Sequence, residues 1–242
     1  MPILRLRAVA IVTLCMFLAT GGAHAQGLTV LPVAIQMAAG QMAATLTVRN
    51  EGDSETSLQV RPFVWSQTPQ GDDELKPATE LMASPPLATI PAGATQVVRL
   101  VLRRPAEARE ASYRILLDQI PPPAAPGTVR IALRLSIPIF VEPSTRIAPH
   151  LQWRVQSEGG QLYLVAANDG SRHEKLRDIA LASAGHGAKV EANLSPYILP
   201  GVTRRWRILA SGAQPAPGTV LRLSATADAG PVDQSVTVVA GP

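Results

Sequence analysis

The residues of this chain that could do chemistry are few, and two of them are arginines. If the runs on either side of the Pro121-Pro122-Pro123 cluster pair as a hairpin beginning near Ile120 opposite Val129, Arg114 falls within about a residue of Arg134 to Ser136. Two arginines close across a hairpin repel unless an anion lies between them. An arginine fork grips a carboxylate bidentately, through charge-assisted hydrogen bonds about twice as strong as neutral ones. Arg114 and Arg134 are therefore candidate carboxylate ligands; neutralisation by Asp118 or Glu142, or plain solvation, accounts for them equally well. The other chemistry-bearing types are scattered. His150, His173 and His186 show no metal-ligand spacing such as H-x-x-x-H, and read as surface or loop residues. Asp72-Asp73-Glu74 lacks the ordered ligand series of a calcium loop and reads as solvated. There is no G-x-S-x-G, no P-loop and no G-x-G-x-x-G. No cofactor, no metal and no enzymatic activity are expected, although a carboxylate pair of the glycosidase kind is a spatial fact that sequence leaves open.

The element that must position the arginines is Val129 to Val141, VRIALRLSIPIFV. Val129, Ile131, Leu133, Leu135, Ile137 and Ile139 alternate with other residues, so one face of a strand is continuously apolar. Its 13 residues are long for a strand, which typically has about five or six. Pro138 offers no N–H, which suits an edge position or a bulge. An open, apolar edge templates pairing with other chains. Two readings follow: the strand pairs with a partner polypeptide, or it is a long core strand bending between two sheets.

Residues 1–25 carry Arg5 and Arg7, an apolar run from Ala8 to Ala19, and small residues ending Ala23-His24-Ala25. They read as a secretory signal peptide rather than a membrane span, and imply export. The only cysteine, Cys15, lies within it, so the mature chain has no disulfide and no thiol chemistry. The signal carries two arginines and no acid, leaving 20 basic against 18 acidic residues. That balance argues against nucleic acid as a partner. Aromatic residues, at 4%, are sparse for a carbohydrate or single-strand platform.

The mature length fits two domains of about 100 residues each. Short alternating runs punctuated by Pro and Gly predict an all-β chain. About seven strands precede Val141 and about seven more lie between Leu151 and Val239, the count of an immunoglobulin-like sandwich in each half. The expected divisions are residues 26–143, a semi-rigid linker at 144–149 with Pro143 and Pro149 at its ends, and residues 150–242. Thr68 to Glu80 reads as a polar, turn-rich connection.

Several segments together resemble a known family. They are Ser84-Pro85-Pro86, Pro91 to Leu100, Ser112-Tyr113-Arg114 with the run to Pro121, and Ser136-Ile137-Pro138-Ile139-Phe140-Val141. In this order they resemble the periplasmic chaperones of the chaperone–usher pilus pathway, and in particular the branch serving archaic, spore-coat-U-like pili. The resemblance implies two immunoglobulin-like domains set at an angle, a periplasmic location, pilus subunits and an outer-membrane usher as partners, and no nucleic acid or small-molecule cofactor. It implies that Val129 to Val141 is lent to a subunit lacking one strand, with Val129, Ile131, Leu133, Leu135 and Ile137 filling the subunit's groove. The family anchors the subunit's C-terminal carboxylate on basic side chains. Their positions correspond here to about Ala34 or Ile35 and to Pro138, none of which can bind an anion through its side chain. Arg99 and Glu110 match family positions that look structural, in a charge network near the domain junction. The competing expectation is a structural or adhesive tandem immunoglobulin-like envelope protein, which should cover the Val129–Val141 edge.

Overall fold

The computed structural model describes residues 27–68, 71–123, 127, 131–145, 148–183, 186–191, 195–209 and 215–241; the signal peptide lies outside them. The described residues form strands and turns only, as the sequence predicts. Ten strands occupy the first part: β1 (Leu28–Leu31), β2 (Ile35–Met37), β3 (Ala43–Asn50), β4 (Thr56–Gln67), β5 (Asp73–Pro77), β6 (Leu81–Ser84), β7 (Leu87–Ile90), β8 (Thr95–Leu102), β9 (Ala111–Ile120) and β10 (Arg134–Val141). Pro32 divides the opening run, and its two pieces join different sheets. One sheet has the order β1-β3-β8-β6; the other runs β2-β10-β9-β4-β5, with β7 also on β4. Period-two alternation decides what lies between them. Leu46 and Val48, Leu58 and Val60, Val98 and Leu100, Ile115 and Leu117, and Ile137, Ile139 and Val141 all turn inward to one buried core.

Eight strands follow: β11 (Leu151–Glu158), β12 (Gln161–Asn168), β13 (Glu174–Ser183), β14 (His186–Val190), β15 (Tyr197–Ile198), β16 (Thr203–Leu209), β17 (Val220–Ala227) and β18 (Gly230–Ala240). Their order is β14-β16-β12-β11-β18-β17-β13-β15, and β14 also pairs β13, so the ladder folds round its own core. Val155, Leu164, Trp206, Leu223 and Val238 lie in that core. Trp206 is buried and stacks on the partly exposed Trp153 at 6.2 Å.

Each half carries the same Asn-x-Gly corner, at Asn50 to Gly52 and at Asn168 to Gly170. The Asn50 side chain donates to the carbonyls of Ser54 and Ile90 and accepts from the Gly52 N–H. Asn168 does the same, donating to Arg172 and Ile198 and accepting from Gly170. Each buried amide thereby satisfies backbone groups that water cannot reach. Gly170 is required there for space: a Cβ would meet the Ala148 carbonyl oxygen at 2.4 Å and the His150 nitrogen at 2.8 Å.

Two expectations need correction. Thr68 to Glu80 is not merely a loop, because Asp73–Pro77 forms β5 against Phe63–Gln67 of β4. All five residues of β5 are exposed, so it carries no apolar alternation and is held by its backbone ladder. The long strand is also shorter than Val129–Val141: it starts at Arg134. The reason is its partner. The Gln119 N–H donates to the Leu133 carbonyl at 2.9 Å, β9 ends at Ile120, and Pro121-Pro122-Pro123 follow with no N–H to continue the ladder.

Candidate functional site

The site is built on β9 and β10 and on the face of their sheet that points away from the core. Strand β10 pairs along its whole length with β9, from Arg134 opposite Asp118 to Val141 opposite Ala111. On its other side β2 covers only Ile139–Val141. Among the described residues, Arg134 to Pro138 therefore have no strand on that side. The edge is short and ends in proline, two usual ways of restraining a sheet edge.

Its odd-numbered residues run from core into solvent. Ile139 and Ile137 are buried, Leu135 packs partly against the same core, Leu133 is 38% exposed and Ile131 is 81% exposed. Ile131 and Leu133 precede the strand, and Val129 lies outside the described residues. Ile137, one of the expected groove-filling residues, is 6% exposed and faces its own sandwich.

The even-numbered residues lie on the opposite face. There Phe140 joins Trp65 of β4 and Tyr197 of β15, with ring centroids 5.7 and 5.3 Å away. Arg114 lies on the same face. Its guanidinium carbon sits 3.8 Å from the Trp65 ring centroid and 5.9 Å from that of Tyr197, and it donates to Asp73 at 3.3 Å. Burial pushes the Arg114 guanidinium below its usual value, opposed by the Asp73 charge and by Tyr197. A half-desolvated, ring-stacked cation has donors to spare for a carboxylate.

The expected pairing of Arg114 with Arg134 is not found. The register places Arg114 opposite Pro138 and Arg134 opposite Asp118. The connection consumes more residues on the β10 side than a turn closing Ile120 onto Val129, and this slides the arginines apart. Arg134 instead bonds to Asp118, which also accepts from Arg61 at 2.9 and 2.7 Å. Neutralisation by Asp118, one of the open alternatives, describes Arg134. Of the positions where the family keeps its cations, Ile35 is buried in the core while Pro138 lies directly across from Arg114.

Glu110 and Arg99 also separate. Arg99 is exposed on β8 in the other sheet, opposite Thr45 and Ser84. Glu110, wholly buried, pairs with His173 at 2.7 Å and faces Arg172 at 3.9 Å. Arg172 reaches Glu142 at 3.2 Å. His173 is not the surface histidine its isolation in sequence implied. It stacks on Phe140 at 3.5 Å and joins the two halves of the chain. Nothing local marks it, because its partners Glu110, Phe140 and Tyr197 are distant in the chain. Trp65 and Tyr197 went unmarked for the same reason. Among the described residues no group of three or more potential ligands could hold a metal, and no helix is long and apolar enough to cross a membrane.

A family model described as "Pili and flagellar-assembly chaperone, PapD N-terminal domain" matches residues 27–146. No curated protein matches the chain by sequence. Solved structures do. A chain of the CsuC–CsuE chaperone–tip adhesion subunit pre-assembly complex, from the archaic chaperone–usher Csu pili of Acinetobacter baumannii, is 22% identical with a TM-score of 0.65. The match covers 89% of this chain and 100% of that one. In the complex of SafA pilin with the SafB chaperone from Salmonella enterica, a chain is 16% identical, TM-score 0.58, with 90% and 98% covered. The Pseudomonas aeruginosa CupB2 chaperone is 15% identical, TM-score 0.57, with 87% and 100% covered. At these identities the likeness is one of fold.

Proposed function

This chain belongs to the pilus-assembly chaperones, and from that premise we propose that it captures pilus subunits in the periplasm, caps their open groove with its own strand, and delivers them to an outer-membrane usher. The observation that carries the reading is the open side of β10, with Ile131 and Leu133 exposed at its start. A subunit strand on that side gains backbone hydrogen bonds, while side chains on the apolar face enter its groove. We assign the groove-filling role to Val129, Ile131, Leu133 and Leu135; the odd-numbered face then continues the chaperone's own core into the subunit. Each aliphatic side chain buried there is worth about 1.5–3 kcal/mol before ordering costs are subtracted. No covalent or redox step is involved, and no cofactor is required. An adhesin would have covered this edge, so the openness of β10 favours the chaperone reading.

Within that reading Arg114 is the carboxylate anchor. Its place beside Pro138 supports this, since the charge that the family keeps on the last strand can come from the strand next to it. The test of the whole reading is co-expression of Ile131→Asp and Leu133→Asp with a spore-coat-U-like pilus subunit, followed by pull-down. Both side chains are exposed, so the variants should fold with unchanged melting temperature and lose most of the co-purified subunit. Wild-type yields of subunit would overturn it.

A further inference from the structure

Among the described residues the carboxylate that meets Arg114 is Asp73, at the start of β5, through one hydrogen bond of 3.3 Å. The acid is the wetter of the two, with its side chain 28% exposed against 12% for Arg114. Its other oxygen accepts from the Gln67 amide at 3.0 Å, and that amide also donates to the Tyr197 carbonyl at 3.0 Å. Arg204 of β16 donates to the same carbonyl at 2.6 Å and to that of Ser195 at 2.8 Å. The Arg204 side chain is wholly buried, yet its Nε and Nη2 have no hydrogen-bond partner among the described residues. Gly71, two residues before Asp73, lies against that bare edge: a Cβ there would meet Nε at 2.9 Å. Burial pushes the Arg204 guanidinium below its usual value, and the charges of Asp73 and Asp72 oppose it. Asp73 thus serves a desolvated cation from each half of the chain. Losing its one bond to Arg114 does not strand it, because Gln67, the field of Arg204 and water remain.

We propose that Asp73 is an internal competitor for Arg114: it occupies the guanidinium in the free chaperone and must be displaced when a subunit's terminal carboxylate arrives. The inference rests on the reading of Arg114 above. A bare carboxylate in solution has to outcompete an acid already in place. One carried on a strand seated along β10 arrives at high effective concentration and can do so. A purely positioning role, in which Asp73 holds the guanidinium flat on Trp65, predicts the opposite sign when the acid is removed.

The test uses the full mature chain and a defined probe. The probe is an N-terminally fluorescein-labelled six-residue peptide of alternating valine and threonine, made once with a free C-terminal carboxylate and once as the C-terminal amide. Fluorescence anisotropy reads the ratio of their affinities. Asp73→Asn and Asp73→Ser should each raise the preference for the carboxylate by about threefold or more, the range of a partly exposed ion pair. Asp73→Glu, which keeps the charge, should stay near the wild type, and Arg114→Met should abolish the preference. The five residues of β5 are all exposed, so the Asp73 variants should fold. A preference that is unchanged or lower in Asp73→Asn and Asp73→Ser, with Arg114→Met defective, would overturn the competitor and leave Arg114 as the anchor. A wild-type preference in Arg114→Met, or none in the wild type and Asp73→Asn alike, would overturn the anchor itself and the competitor with it.

Discussion

Asp118 holds two arginines at once, Arg61 from β4 and Arg134 from β10, across three adjacent strands. Burial raises its pKa, but the hydrogen bonds from Arg134 and Arg61 outweigh it and hold the carboxyl below the usual range. A depressed carboxylate contributes stability that is fully present above its unfolded value, about 3.9, and is lost as pH falls through the folded value. The stability difference between wild type and Asp118→Asn should therefore be constant from pH 7 to about pH 5 and shrink below about pH 4. Its size should be modest, since the Arg134 side chain is 63% exposed and such pairs contribute about 1 kcal/mol or less. Urea unfolding at several pH values measures it. A difference that grows toward acid would mean that Asp118 is not the charged partner. The same clamp keeps Arg134 occupied at neutral pH.

At the scale of elements, the length of β10 is set by what stands opposite. Three consecutive prolines after Ile120 deny Ile131 and its neighbours a ladder, so an apolar run that sequence reads as one strand is divided between strand and exposed approach. Replacing the cluster by Pro121→Thr, Pro122→Val and Pro123→Thr should extend the hairpin and slow amide exchange at Ile131 to Leu133 by tenfold or more. Unchanged exchange would show that the ladder stops for another reason. Alternation made most of the fold legible. The opening strands broken at Pro32, the inward face of β4, and seven of the eight later strands follow from period-two patterns, because a half-buried strand must alternate. β5 was invisible because nothing on it is buried, and the two-residue β15 because it is too short to show a period. Arg114 was legible as one of two arginines that either an anion or a carboxylate of the chain itself could neutralise, and Asp73 is the carboxylate beside it. The surroundings of Arg114 were not, since a hairpin register depends on the residues consumed in the connection, and Trp65 and Tyr197 arrive from distant strands.

At the scale of the molecule, the docking of the two halves is itself a small core. Trp65 and Phe140 from the first half meet Tyr197 and Leu199 from the second, with His173 stacked on Phe140 and bonded to buried Glu110. The Gln67 side-chain amide donates to the Tyr197 carbonyl and accepts from the Leu199 N–H, so side-chain-to-backbone hydrogen bonds also cross the junction. Phe140 is wholly buried and touches rings from both halves, which makes it the natural place to cut the coupling. Phe140→Ala should cost about 3–5 kcal/mol, the usual range for a buried aromatic. Because that loss falls on the junction as well as on β10, calorimetry should resolve two unfolding transitions for the variant and one cooperative peak for the wild type. A single transition at the wild-type temperature would mean that the halves are coupled through Gln67 and through the Glu110 backbone bond to Ser171 rather than through the rings.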